Sequence, residues 1–156
     1  MKPLYFVERV FQFPVARLWQ AWTDSAELEK WYSPVFLTVV PGSTTSEAEV
    51  GGTWAIAVDV SANGFNAYFW GKYSIVETNL KLVHDLNYSQ DELEFAVREP
   101  KADAHRIEVD FTPTDTGTIV RFSQFGEMEQ DQAEASREGM ESYFDNLAVH
   151  LDRNDN

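Results

Sequence analysis

The hydrophobic pattern changes its period three times along the chain. Residues 3–11, PLYFVERVF, have the composition of a strand, with Leu4, Phe6 and Val10 sharing one parity. From Pro14, which stands where a first helical turn tolerates proline, the apolar positions Val15, Leu18, Trp19 and Trp22 recur at helical spacing. Asp24 followed by Glu27 resembles a capping box and opens a second short helix, with Leu28, Trp31 and Tyr32 on its apolar side and Pro34 as its stop. The period then becomes two. Seven runs read as strands: 35–40, 53–60, 65–77, the alternation Leu82, His84, Leu86 and Tyr88, then 93–99, 105–111 and 118–125. Turn chemistry at Asn63-Gly64, Pro100-Lys101 and Thr114-Asp115-Thr116-Gly117 joins them into one antiparallel meander. The last segment returns to helical spacing at Ala133, Ser136, Met140, Tyr143, Phe144, Leu147 and Leu151, with Asp131 and Glu134 placed to cap its start.

This order predicts an α+β fold in one domain, 1–156. A curved antiparallel sheet wraps a long C-terminal helix, and two short helices follow the first strand. A strongly twisted sheet of that size curls, and one helix is too narrow to fill the concavity. The remaining volume is filled by large side chains or stays open as a pocket. Composition bears on that choice, because aromatic residues make up 14% of the chain, with 11 Phe, 6 Tyr and 5 Trp. Strand parity places Trp54, Phe69, Tyr73 and Phe122 on the inner face, and Trp31 stands near one end as the preferred ring of its helix for the pocket. Tyr32 projects about 100° away from it around the helix.

Charge and the remaining chemistry mostly exclude. A formal charge of −14, with 12 basic residues scattered along the chain, argues against nucleic acid and anionic membrane surfaces. There are no cysteines, hence no thiol nucleophile and no cysteine-ligated metal. The N-terminal run is interrupted by Lys2, Glu8 and Arg9 and lacks a cleavage pattern, so a cytoplasmic protein without membrane insertion is expected. Gly51-Gly52 reads as a bulge or turn rather than a phosphate loop. Asp59-x-Ser61-x-Asn63-Gly64 reads as a hairpin turn, because Trp70 occupies the position where a calcium loop needs Glu. The three histidines have no metal-ligand spacing. His84 is placed inward with Leu82 and Leu86, whereas His105 and His150, near element ends, are expected to be solvated. Gln124, in register with Val120 and Phe122, is an inward amide that needs partners. No metal, cofactor or catalytic constellation is called.

Four stretches carry a family resemblance. They are Phe13-Pro14 with Leu18 to Asp24; Leu28 to Pro34; Val50-Gly51-Gly52-Thr53-Trp54; and Gly71-Lys72-Tyr73-Ser74-Ile75-Val76. Together with Glu138 to Leu147 they resemble the START-like (SRPBCC) superfamily, and within it the homologues of the activator of the heat-shock-protein-90 ATPase. The resemblance implies a helix-grip fold, as in the birch-pollen allergen, with a cavity between sheet and helix that takes hydrophobic molecules in many members. Relatives often carry Trp where Met140 stands. They frequently carry His near the end of the last strand, where this chain has Gln124, so chemistry tied to that His is not expected. The separate chaperone-binding domain of the eukaryotic activators is expected to have no counterpart.

The functional expectation is a small-molecule-binding module for an aromatic or lipid-like ligand. Trp31, Trp54, Phe69, Tyr73, Phe122, Met140 and Tyr143 supply contact area, and His84 and Gln124 orient polar groups. Two alternatives stand beside it. One is a cyclase or hydratase in which His84 or a tyrosine moves a proton. The other is a stress-related chaperone cofactor that binds a protein partner through its acidic surface. A homodimer through a paired edge strand is left open.

Overall fold

A computed structural model describes residues 2–153. After strand β1 (Tyr5–Phe11) come helices α1 (Val15–Thr23) and α2 (Ser25–Trp31). Two very short strands follow, β2 (Thr38–Val39) and β3 (Thr45–Ser46), and then the long hairpin of β4 (Thr53–Val60) and β5 (Phe65–Glu77). Strand β6 (Lys81–Ser89), helix α3 (Glu92–Val97), strands β7 (His105–Pro113) and β8 (Thr118–Phe125), and helix α4 (Gln130–Arg153) complete the fold. It is a helix-grip-like α+β architecture, an antiparallel half-barrel sheet closed over α4.

The alternating segment forms the expected meander from β4 to β8, every pair antiparallel. Strand β1 does not start that meander. It pairs with β8 at the far edge, Tyr5 opposite Gln124 and Phe11 opposite Thr118. Its inner face is also the other parity: Tyr5, Val7 and Phe11 are buried, while Phe6 and Val10 are exposed. The outward Phe6 is covered by the guanidinium of Arg121, 3.9 Å from the ring centre.

Three local expectations are corrected. Residues 35–40 contribute only two residues of strand, and β3 was not foreseen. Residues 93–99 are not a strand. Asp91 caps α3 by accepting a hydrogen bond from the Leu93 amide at 2.8 Å, and Arg98 ends it in the left-handed region at φ 60°. Helix α3 sits on the outer face of the sheet, where Phe95 stacks on Tyr68 at 4.9 Å and meets Trp70 edge-on. Only half of the capping box forms: Asp24 accepts from the amides of Ala26 and Glu27, but the Glu27 carboxylate turns to Arg17 and His150 instead. The Asp59 to Gly64 stretch is a hairpin turn closed by Gly64 at φ 91°.

The two halves of α4 meet the sheet differently. Its C-terminal half buries Phe144, Leu147 and Leu151 completely, with Phe144 packed on Phe11 and Trp22. Arg9 of β1 ties the middle of the helix down through Glu141 and Asp145, each at 2.8 Å. Along its N-terminal half, the residues that face the sheet include Gln132, Ser136 and Gly139, which are too small or too polar to fill a concavity. That is where space remains. Among the described residues no helix is long and apolar enough to cross a membrane.

Candidate functional site

The space is a cavity of about 600 Å³ between the N-terminal half of α4 and the concave face of the sheet. Tyr5 of β1, Trp54 of β4, Phe69 of β5 and Phe122 of β8 contribute aromatic wall from the sheet, and Tyr32, Met140 and Tyr143 close it from the helical side. The β6–β7 connection, the first residue of β7, the β8–α4 connection and the start of α4 add polar residues, among them Lys101, Asp103, His105, Glu127 and Gln132. Cavities of roughly 300–1,000 Å³ with apolar walls and a few placed polar groups are the usual form of small-molecule sites.

Of the nine expected site residues, Trp54, Phe69, Phe122, Gln124, Met140 and Tyr143 line the cavity. Trp31, Tyr73 and His84 do not. The Trp31 ring is wholly buried between helices, edge-on to Trp22 at 4.8 Å, with its Nε1–H donating to the Ala21 carbonyl at 2.9 Å. Its neighbour Tyr32 reaches the cavity instead. Residue 32 caps α2 with non-helical torsions, φ −76° and ψ 66°, so the helical wheel that separated the two rings no longer applies there. Tyr73 is buried with its hydroxyl 2.7 Å from Ser46 Oγ.

His84 is stacked on Trp54 at 4.1 Å, edge-on to Tyr73 at 5.8 Å, and its Nδ1–H donates to the Asp85 carbonyl at 2.8 Å. Burial lowers its pKa from 6.5 to about 4, only partly opposed by that hydrogen bond. It is a neutral core histidine rather than a proton carrier on the cavity wall. In the unfolded chain the imidazole takes up its proton at higher pH than in the fold, so stability is lost as pH falls through the window between those two values. Lowering pH from about 7 to about 5 is expected to cost the wild type roughly 2 kcal/mol more than His84→Phe, at about 1.4 kcal/mol per pH unit below the unfolded pKa. Urea midpoints at the two pH values check this, and equal losses would refute it.

Gln124 finds its partners inside the protein. Tyr5 Oη–H donates to Gln124 Oε1 at 2.6 Å, and Gln124 Nε2–H donates to His105 Nδ1 at 2.8 Å. His105 Nε2 lies 3.1 Å from the Glu127 carbonyl, which can only accept, so the imidazole carries its proton on Nε2. This relay fixes the direction of every hydrogen bond from Glu127 to Tyr5. His105, expected to be solvated, is half-buried and held in this relay. His150 is corrected likewise: it is buried, with Nε2 2.9 Å from Glu27 Oε1. Tyr5, Tyr32 and His105 were absent from the expected site.

The tyrosines are the other polar feature. Burial is the first cause that pushes the pKa of Tyr5, Tyr32 and Tyr143 well above the ordinary phenol value, and in Tyr32 the neighbouring phenols Tyr143, Tyr5 and Tyr73 add to it. All three are therefore neutral O–H groups near pH 7. Among the described residues no cluster of His, Cys, Asp or Glu is arranged to hold a metal ion.

The sequence profile of the family described as Activator of Hsp90 ATPase homolog 1-like protein matches residues 12–152. The chain belongs to this family. No curated protein sequence matches it. The family's fold recurs in solved structures. The AHSA1 (SPO3351) protein from Silicibacter pomeroyi is 18% identical, with a TM-score of 0.78 over 94% of this chain and 96% of that one. A protein from Arthrobacter aurescens, solved by NMR, is 23% identical, with a TM-score of 0.78 over 98% and 90%. Protein CV1439 from Chromobacterium violaceum is 19% identical, with a TM-score of 0.77 over 93% and 94%. At these identities the likeness carries the fold of the AHSA1-like family and nothing about its ligands.

Proposed function

We propose that this AHSA1-like domain is a small-molecule-binding module whose ligand enters between α4 and the sheet. The supporting observation is the cavity of about 600 Å³, walled by aromatic rings from four strands and roofed by small and polar residues of α4. A core built only for stability would be packed to crystal-like density, and leaving that much apolar wall uncovered forfeits dispersion contacts. The wall rings stay in place because the sheet and helices hold them, so a hydrophobic ligand gains contact area without first ordering the site. The enzymatic alternative loses its histidine, since His84 lies outside the cavity wall and is held neutral.

Native mass spectrometry of the protein, before and after incubation with a metabolite and lipid extract from its host, tests the reading. The expected result is a discrete added mass that is released on denaturation. Ser136→Trp, which places a bulky ring in the cavity roof one turn before Met140, is expected to lose that mass by about tenfold or more while remaining folded. A bare protein under both conditions would turn the reading to the protein-partner alternative, and an added mass indifferent to Ser136→Trp would place the ligand elsewhere.

A further inference from the structure

The binding reading fixes where a ligand sits, and the polar groups of the same cavity discriminate among ligand charges. We propose that the cavity selects uncharged ring compounds carrying a hydrogen-bond acceptor, and rejects carboxylates and other anions, with the hydroxyls of Tyr32 and Tyr143 as the selecting groups.

The donors of Tyr5, Gln124, Trp31 and Asn87 are already committed. Tyr5 has given its proton to Gln124, and Gln124 has given one of its own to His105. The indole N–H of Trp31 and the amide of Asn87 are likewise used within the protein. Tyr32 and Tyr143 differ. Both line the cavity, Tyr32 is only 5% exposed, and their rings meet edge-on at 5.1 Å. Among the described residues neither hydroxyl makes a hydrogen bond to another protein group. Facing the cavity, each hydroxyl is left for whatever occupies it to bond, and a ligand that accepts from it takes that role. Because burial keeps both phenols protonated, what they offer at neutral pH is an O–H donor. A carbonyl, ester or amide oxygen on a flat ring satisfies them.

A carboxylate would accept from the same hydroxyls, but its charge would go uncompensated. Lys101 is the one Lys or Arg among the described lining residues, and its ammonium is turned away. It lies 3.3 Å from Glu94 Oε1, donates to the Tyr88 carbonyl at 3.1 Å, and sits 5.4 Å from the ring centre of Trp70 on the outer face of the sheet. What remains on the wall is Asp103 and Glu127, both carboxylates. An anion entering an apolar cavity with no cation to meet it, past like charges, carries a desolvation cost that two phenols do not offset.

The test uses three naphthalenes of nearly equal size, acetylnaphthalene, ethylnaphthalene and naphthoate, each titrated into the full chain by calorimetry near pH 7. The ketone is expected to bind about tenfold more tightly than the hydrocarbon, from two hydrogen bonds of ordinary net strength. Naphthoate is expected to bind at least about tenfold more weakly than the ketone. Tyr32→Phe and Tyr143→Phe should each lower the ketone-to-hydrocarbon affinity ratio by about threefold. Naphthoate binding as tightly as the ketone, or a ratio that neither phenylalanine variant moves, would overturn the charge-and-acceptor selection and leave the binding module standing. Failure of all three compounds to bind would overturn the binding reading itself.

Discussion

Replacing Trp31 by alanine is expected to destabilise the protein by about 4 kcal/mol, within the usual range for truncating a fully buried tryptophan. Two losses add. The first is packing: the indole is completely buried and fills the angle between α1 and α2, against Trp22 and Tyr32. The second is a hydrogen bond. Ala21 lies in the last turn of α1, where backbone carbonyls lack a helical partner, and the Trp31 Nε1–H takes that role at 2.9 Å. Trp31→Phe separates the two, keeping most of the ring while leaving the carbonyl unmet, and should cost about 1–2 kcal/mol. Since a domain of this size has roughly 5–15 kcal/mol in total, the alanine variant should show a large drop in its urea midpoint. An alanine variant as stable as the wild type but unable to bind ligand would mean that the ring is cavity wall after all.

The contrast between Trp31 and Tyr32 marks the limit of what the sequence could reveal. Amphipathic spacing correctly placed both on the buried side of a short helix, and β-alternation correctly put Trp54, Phe69 and Phe122 on the concave face. Which of two adjacent rings reaches the cavity depends on the torsions of a helix cap, and periodicity does not encode those. The same holds for β1, where both parities carry large apolar residues. The choice between them was made by α4 on one side and by Arg121 on the other. For α3, the alternating Leu93, Phe95 and Val97 satisfied a strand reading, while Asp91 ahead of them with Glu92 and Glu94 in the first turn was a helix signal that could have been heard.

Polar partners were legible as needs but not as identities. Gln124 was recognisable as an inward amide requiring hydrogen bonds, yet Tyr5 and His105 lie 119 and 19 residues away in sequence. Only the pairing of β8 with β1 on one side and β7 on the other brings them to it. The family's frequent histidine near the end of the last strand has no counterpart at position 124. An imidazole nevertheless stands next to that position, supplied by the first residue of β7.

Removing the Glu27 carboxylate should separate the two ends of α4 in their effects. Glu27 Oε1 accepts from Arg17 at 2.7 Å and lies 2.9 Å from His150 Nε2, so one oxygen joins α1, α2 and the last turns of α4. The Arg17 and Glu27 side chains are 16% and 14% exposed, which places the pair well inside the regime where solvent screening is weak. Glu27→Ala strips Arg17 of its ion-pair partner in a largely buried position and is expected to cost about 3 kcal/mol, with Glu27→Gln intermediate because it keeps an acceptor oxygen but not the charge. The loss should be local. Amide exchange is expected to rise first around Leu147 to Leu151, where α4 is anchored to this network, and last around Gln132 to Met140, which roof the cavity about three turns away. Ligand affinity per folded molecule should then hold within about twofold in Glu27→Ala, because the residue touches neither the cavity wall nor the Tyr5–Gln124–His105 relay. If affinity fell in proportion to stability, α4 would be acting as a single rigid lever, and the cavity could no longer be treated as a site that the fold's anchoring contacts leave alone.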